Sequence, residues 1–182
     1  MRLLVTVGTT KFEALIYDVM SKKVLNLLSE LGFREISLQM GNIDFQEHIK
    51  QCDEFVVINQ NSETTNLRWR DLKIRARNYF FDSMDREMRD ADLIISHGGA
   101  GTCMEALNLG KPLVVVVNNS LMHNHQTELA DRLALDNYCL VVHDVKQLHE
   151  TLCLPNLLKP KPFPAPVDSK VFADYLANVL DF

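Results

Sequence analysis

Three glycines fall within four positions, Gly98, Gly99 and Gly101, set between His97 and Thr102. A short apolar run, Leu93 to Ile95, precedes them and a helix-forming run, Thr102 to Leu109, follows, stopped by Gly110 and Pro112. Strand, glycine turn and helix in that order place backbone N–H groups at a helix N-terminus, which favours an anion, most often a phosphate. His97, Gly98, Gly99, Ala100, Gly101 and Thr102 are therefore candidates for a nucleotide-phosphate site. Glu105 stands four residues after Gly101, on the first turn or so of that helix. A carboxylate there can accept two hydroxyl hydrogen bonds, as a ribose diol offers, or it can simply complement the helix dipole. After a second apolar run, Leu113 to Val117, a polar segment carries His123, Asn124, His125, Gln126 and Glu128. Asn124 and Gln126 can bind sugar hydroxyls in the same crevice, and surface capping explains them equally well. Near the start of the chain, Gly8, Thr9 and Thr10 form a tight turn whose threonines either cap the following helix or give an anion a second set of donors.

Other chemistries fail on spacing. Gly99-x-Gly101 is followed by Met104 where a dinucleotide fingerprint requires a third small residue, and the turn lies late in the chain. No G-x-x-x-x-G-K-[ST] motif occurs, so a P-loop is unsupported. His123-x-His125 with Glu128 and Asp131 invites a metal reading. Residues two apart on a helix diverge by about 200°, however, and no H-E-x-x-H spacing is present. Cys103 opens a helix, where a thiolate can be stabilised, but no motif sets a base beside it. Neither a metal nor a resident cofactor is expected.

The elements that must hold these residues alternate. Leu3 to Val7 reads as a central parallel strand, and Phe12, Leu15, Ile16, Val19, Leu27 and Leu31 recur at helical spacing up to Gly32, a good residue to end that helix. Phe33 to Met40 is a second strand, Phe45 to Gln51 a short helix, and Phe55 to Ile58 a compact buried strand. Asn59 to Asp71 is polar and reads as a long loop. Arg68, Arg70, Lys73, Arg75 and Arg77 form a basic run in which 73, 75 and 77 share one face of a strand. It is either a solvated edge strand or a contact with a partner subunit or an anionic membrane. Asp82 to Asp90 is a helix capped by Asp82 or Ser83. Helices at Thr127 to Leu135 and Val145 to Leu152 flank a strand at Tyr138 to Val142. The fold class is α/β, a Rossmann-like parallel sheet with helices on both faces.

Five of the six prolines lie between Pro155 and Pro166, as a stiff extended connector. The domain plan is residues 1–154 as the nucleotide-binding domain, 155–167 as connector and 168–182 as an amphipathic helix, docked on its own domain or on another subunit. At 182 residues, with 47% apolar and 24% charged residues, the chain is an ordinary globular domain. A formal charge of −5 argues against a broad nucleic-acid-binding surface. Cys52, Cys103, Cys139 and Cys153 form no C-x-x-C pair and read as reduced thiols. No apolar run approaches the roughly 20 residues of a membrane span.

The combination S-H-G-G-A-G-T, E-A-L-N-L-G-K-P-L-V-V-V-V-N and H-N-H-Q-T-E-L-A resembles the C-terminal, sugar-nucleotide-binding domain of family 28 glycosyltransferases. The opening V-T-V-G-T-T-K-F-E-A-L-I narrows the resemblance to the donor-binding subunits of the eukaryotic two-chain UDP-GlcNAc transferases, and residues 1 to 143 carry it. It implies the donor half of a GT-B enzyme. Gly8, Thr9 and Thr10 would face sugar and phosphates, and His97 to Thr102 would hold the diphosphate. Glu105 would bind the ribose, and Asn124, His125 and Gln126 would read the sugar, although His125 stands where bacterial relatives carry glutamine. The implied reaction is inverting transfer of GlcNAc from UDP-GlcNAc to GlcNAc-diphosphodolichol with a β-1,4 linkage. The implied partner is a membrane-anchored, acceptor-binding subunit in a heterodimer that supplies the catalytic base. The implied setting is the cytosolic face of the endoplasmic reticulum. A nucleotide-sugar sensor or scaffold without transferase activity is the alternative.

Overall fold

In the computed structural model, residues 1–43, 49, 54–61, 63–80, 83–118 and 125–164 are described, the side chains of 125 and 126 excepted. Eight strands form one sheet: β1 (Arg2–Thr6), β2 (Glu35–Gln39), β3 (Val56–Gln60), β4 (Thr64–Trp69), β5 (Leu72–Arg77), β6 (Leu93–Ser96), β7 (Leu113–Val116) and β8 (Leu140–Val142). Their order is β3-β4-β5-β2-β1-β6-β7-β8. From β5 through β8 every neighbour pair is parallel, whereas β3, β4 and β5 pair antiparallel as a meander at one edge. β1 lies at the centre, with Thr6 opposite Gln39 on one side and Ser96 on the other. Leu3, Leu4 and Val5 are buried on both faces, as the apolar run predicts for a covered parallel strand.

Helices α1 (Glu13–Val19), α2 (Lys22–Glu30) and α6 (Leu148–Leu152) cover one face, packing Leu15, Ile16, Leu25 and Leu152 on Leu3, Val5, Ile36 and Ile74. Helices α3 (Met84–Asp90), α4 (Ala100–Asn108) and α5 (His125–Leu135) cover the other, with Met88, Ala106 and Ala130 against Leu4, Ile94 and Val115. This second layer holds no buried residue of β2, β3, β4 or β5. The expected α/β class with helices on both faces is what the sheet shows.

Several local expectations change. The long first helix is two, because Ser21 at a β-region backbone accepts a hydrogen bond from Val24 N at 3.3 Å and starts α2 afresh. α2 then ends as predicted at Gly32, with Phe33 N bonded to Leu28 O and Gly32 N to Ser29 O. The supposed loop 59–71 is mostly strand β4, turned at Asn61, whose Oδ1 accepts from Glu63 N and Thr64 N at 2.9 and 2.7 Å. The supposed buried strand at 55–58 is the exposed edge strand β3. β5, carrying Lys73, Arg75 and Arg77, is an interior strand between β4 and β2, so it is not an edge. The expected helix at 45–51, apart from Ile49, and the final helix at 168–182 lie outside the described residues. Where the connector begins, Leu157 is buried in the core and the Phe163 ring meets Tyr138 edge-on at 5.0 Å.

Candidate functional site

The chain runs outward from β1 through β2 to the meander and then returns to β6 on the other side of β1. The two connections leaving the carboxyl ends of β1 and β6 therefore diverge, and in open parallel sheets this switch point is where ligands bind. The first of these connections contains Gly8, Thr9 and Thr10; the second contains His97 to Gly101. The topology brings together the two glycine turns singled out in the sequence.

A network of buried polar groups sets the first turn. Gly8 adopts φ +58°, the left-handed region that a β-carbon disfavours. Its N–H donates to Thr6 Oγ1 at 3.1 Å, and its carbonyl accepts from Gln39 Nε2 at 3.3 Å. Thr6 Oγ1 in turn donates to Gln39 Oε1 at 2.5 Å. Thr10 Oγ1 donates to Val7 O at 2.7 Å, closing the turn; it does not cap α1, whose N-cap is Phe12 without a side-chain bond. Thr9 is exposed. Asn118, past the end of β7, donates from Nδ2 to Lys11 O at 3.3 Å and ties this loop to the next connection. Beside these loops a recess of about 770 Å³ opens between α1 and the ends of β7 and β8, lined by Phe12, Tyr17, Asn118 and Asp144.

His97 links the two turns. Its ring is buried, with 5% exposure, and its Nδ1 has no hydrogen-bond partner among the described residues. Burial lowers its pKa from the ordinary imidazole value, the nearby Thr6 carbonyl opposing the shift, so the ring is neutral at pH 7. A β-carbon on Gly8 would stand 2.7 Å from His97 Cε1, and one on Gly99 would stand 2.8 Å from Cε1 and Nε2. Two glycines thus make room for the histidine itself. Gly101 differs: a β-carbon there meets nothing within 4 Å.

Gly98, at φ +86°, turns the chain into α4. The N-cap is Gly99, without a side-chain cap, and the first helical hydrogen bond is from Cys103 N to Gly99 O at 3.0 Å. The N–H groups of Ala100, Gly101 and Thr102 therefore lie in the first turn, where no intrahelical acceptor exists. Gly101 and Glu105 share the exposed side of α4, four residues apart; the Glu105 carbonyl accepts from Leu109 N at 3.0 Å within the helix, and its carboxylate lies near enough to Arg89 for the two charges to interact. His125 and Gln126 begin α5 next to the β7 connection. Their side chains, and Asn124 altogether, lie outside the described residues. Cys103 is buried, and desolvation pushes its thiol up to about 11, which removes it as a nucleophile. Gln39, Gly41 and Asn118 were not among the candidate site residues of the sequence. A β-carbon on Gly41 would stand 2.7 Å from Thr10 O. The signal available for these residues was their place at the carboxyl ends of β2 and β7.

Residues 2–174 match the model of the glycosyltransferase family 28 C-terminal domain. The chain belongs to that family. Among curated relatives, the UDP-N-acetylglucosamine transferase subunit ALG13 of Mus musculus is 38% identical over 132 residues, 72% of this chain and 10% of that protein. The chain thus spans about a tenth of the length of that relative. Among solved structures, the solution structure of ALG13 superposes with a TM-score of 0.69 at 27% identity, covering 100% of this chain and 97% of that one. Acinetobacter baumannii MurG superposes with a TM-score of 0.64 at 21% identity, covering 97% of this chain and 49% of that chain, and shows the shared fold. In this family 28 domain, as in the sequence expectation, the sheet is equivalent to one half of a two-domain GT-B enzyme.

Proposed function

We propose that the chain is the donor-binding catalytic subunit of a two-chain UDP-GlcNAc transferase. In this reading it adds the second GlcNAc, with inversion and a β-1,4 linkage, to GlcNAc-diphosphodolichol. The observation that carries the reading is the uncapped N-terminus of α4 at the switch point, with open space over Gly101 and Glu105 one turn further along the same side. Leaving UDP gathers negative charge on its diphosphate. The N–H groups of the 98–102 turn and the α4 dipole point at that charge without needing to reorganise. Neutral His97 fixes the turn by packing where β-carbons on Gly8 and Gly99 would stand. Glu105 takes the ribose hydroxyls, the Gly8–Thr10 loop faces the sugar and phosphates, and Asn124, His125 and Gln126 read the sugar. The acceptor hydroxyl oxygen forms its bond to the anomeric carbon as the bond to UDP breaks, and its proton passes to a base on a second, membrane-anchored subunit. That subunit binds the lipid-linked acceptor and recruits this chain to the cytosolic face of the endoplasmic reticulum. Residues 1–154 are the donor domain, and 155–167 and 168–182 serve as connector and terminal helix. No resident cofactor enters the scheme. Among the described residues no helix is long and apolar enough to cross a membrane.

The test is transfer from labelled UDP-GlcNAc to a GlcNAc-diphospho-polyprenol by the purified chain, alone and with membranes containing a candidate partner. Transfer only in the second condition is expected. Transfer by the chain alone would sink the two-subunit reading, and UDP-GlcNAc binding without transfer in either condition would favour a sensor.

A further inference from the structure

On the side of the sheet opposite α1 and α2, the buried contacts of the helical layer among the described residues reach β1 but not β2 to β5, to which α3 extends only Glu87, bonded to Ser37 and Arg75. A groove of about 700 Å³ runs there beside α3. Its cations are mostly matched: Arg75 pairs with Glu87, Arg2 with Glu35 at 2.9 Å, and Arg77 with Glu63 at 3.3 Å. Arg68 and Lys73 are not matched by any ion pair among the described residues. They stand directly opposite each other on β4 and β5, in one row with Val56 of β3. Like charges in that cross-strand position repel; the row continues from Lys73 to Glu35 of β2, but that carboxylate is already paired with Arg2, so in a chain of charge −5 the row keeps a local excess of positive charge.

The strand outside this row, β3, is the edge of the sheet. Val56, Val57 and Ile58 are 52%, 45% and 53% exposed, and β3 carries no charge and no proline. Edges are ordinarily protected by such residues, by a bulge or by a covering element; here a register shift between Val57 and Asn59 is the one protection visible among the described residues. Val57 faces the opposite way from Val56, on the row of Leu67 and Ile74 that belongs to the core.

We propose that β3 is a docking edge for an extended segment of a partner polypeptide that alternates apolar and acidic residues and adds as a ninth strand. Its apolar residues continue the Val57–Leu67–Ile74 row. Its carboxylates lie opposite Val56, about 10 Å from the Arg68 backbone at two strand spacings, within the combined reach of a glutamate and an arginine. Main-chain hydrogen bonds supply affinity, and the alternation supplies register. A lipid surface cannot satisfy the open edge, because hydrocarbon has no partners for backbone N–H and C=O groups. A second copy would bring its own uncharged β3 and its own Arg68–Lys73 row, whose neighbouring acid, Glu35, is already engaged by Arg2. The surface lies outside the crevice, and the proposal does not depend on the transferase reading.

The test uses the full chain, labelled with ¹⁵N, and two synthetic peptides of ten residues, one alternating Val with Glu and one alternating Val with Lys. The Val/Glu peptide is expected to shift and protect the amides of Val56 to Gln60, and the Val/Lys peptide to leave them unmoved. R68E/K73E, at exposed positions that leave UDP-GlcNAc affinity unchanged, should weaken the Val/Glu peptide at least tenfold and admit the Val/Lys peptide. Val57→Glu should weaken the Val/Glu peptide without changing the spectrum elsewhere. Equal binding of both peptides, or no change at β3, overturns the proposal. So does wild-type binding to phosphatidylserine vesicles that R68E/K73E abolishes, or a dimer formed through β3.

Discussion

Gly101→Ala separates what the glycine turn does for the fold from what it does for a ligand. Gly101 is a helical residue of α4 with ordinary backbone angles, exposed, and a β-carbon on it meets nothing within 4 Å. Alanine is the better helix former, by about 0.5–1 kcal/mol in a helix. For a chain of this size that is a rise in Tm of roughly 1–4 °C. The added methyl, however, occupies the space in which the proposed diphosphate would meet the N–H groups of Ala100 to Thr102. Hydrogen bonds to a charged group contribute about 1.5–3 kcal/mol each, so losing one weakens UDP binding by at least about tenfold. Thermal melting and calorimetric titration with UDP read the two effects on the same sample. A variant that is no less stable and binds UDP ten times more weakly is the expected outcome. Unchanged UDP affinity would refute the placement of the phosphates over Gly101, and a fall in Tm would refute the helix argument. Gly99 is a poorer probe, since any side chain there strikes His97 as well.

Gly8→Ala should destabilise the fold by about 2–5 kcal/mol, combining a left-handed backbone with a methyl forced onto the His97 ring; the urea midpoint measures it. The lowered pKa of His97 means that the unfolded chain takes up a proton where the folded chain does not. Stability from this group is therefore complete above about pH 6.5 and falls as the pH drops below it, by at most about 1.4 kcal/mol per unit. Urea unfolding between pH 5 and 8 should show that limb, and His97→Gln should flatten it. Burial pushes the Cys103 and Cys139 thiols up to about 11 and about 12, whereas Cys153 is exposed. Iodoacetamide at pH 8 should modify Cys153 in the native protein and reach Cys103 and Cys139 only on unfolding, as read by peptide mass spectrometry.

The parallel half of the sheet was readable because each strand there is a short apolar run ended by glycine or a polar cluster, and each helix repeats at 3.6 residues. Leu93 to Asn108 emerges almost residue for residue. The meander was not readable, for two opposite reasons. β4 looks like loop because Thr64, Asn66 and Arg68 face away from the core, yet Leu67 and Trp69 are buried on its other side, the alternation of a half-exposed strand. β3 looks like core because its residues are aliphatic, and local sequence does not say that the strand falls at an edge. Ser21 was passed over because the apolar period continues across the break it makes. At the site, the glycines and Glu105 carried a local signature, whereas Gln39 and Asn118 act through residues 31 and 107 positions away. Such partners become visible only when the strand order is known.

The position of β1 between β2 and β6 also governs the order in which the crevice can be assembled. Its first seam, to residues 35–39, closes a short stretch of chain, but the second joins Leu3 to Leu93 and Thr6 to Ser96 across some ninety residues. Closing that long stretch costs more chain entropy and comes later. A nascent chain can therefore hold a folded β1–α–β2 unit while one wall of the crevice is still missing. Anything that binds only the finished crevice draws its effect from this last seam. At a hundred times its Kd, such a ligand adds about 2.7 kcal/mol to the closed sheet, so it would act as a clasp on the join that forms last.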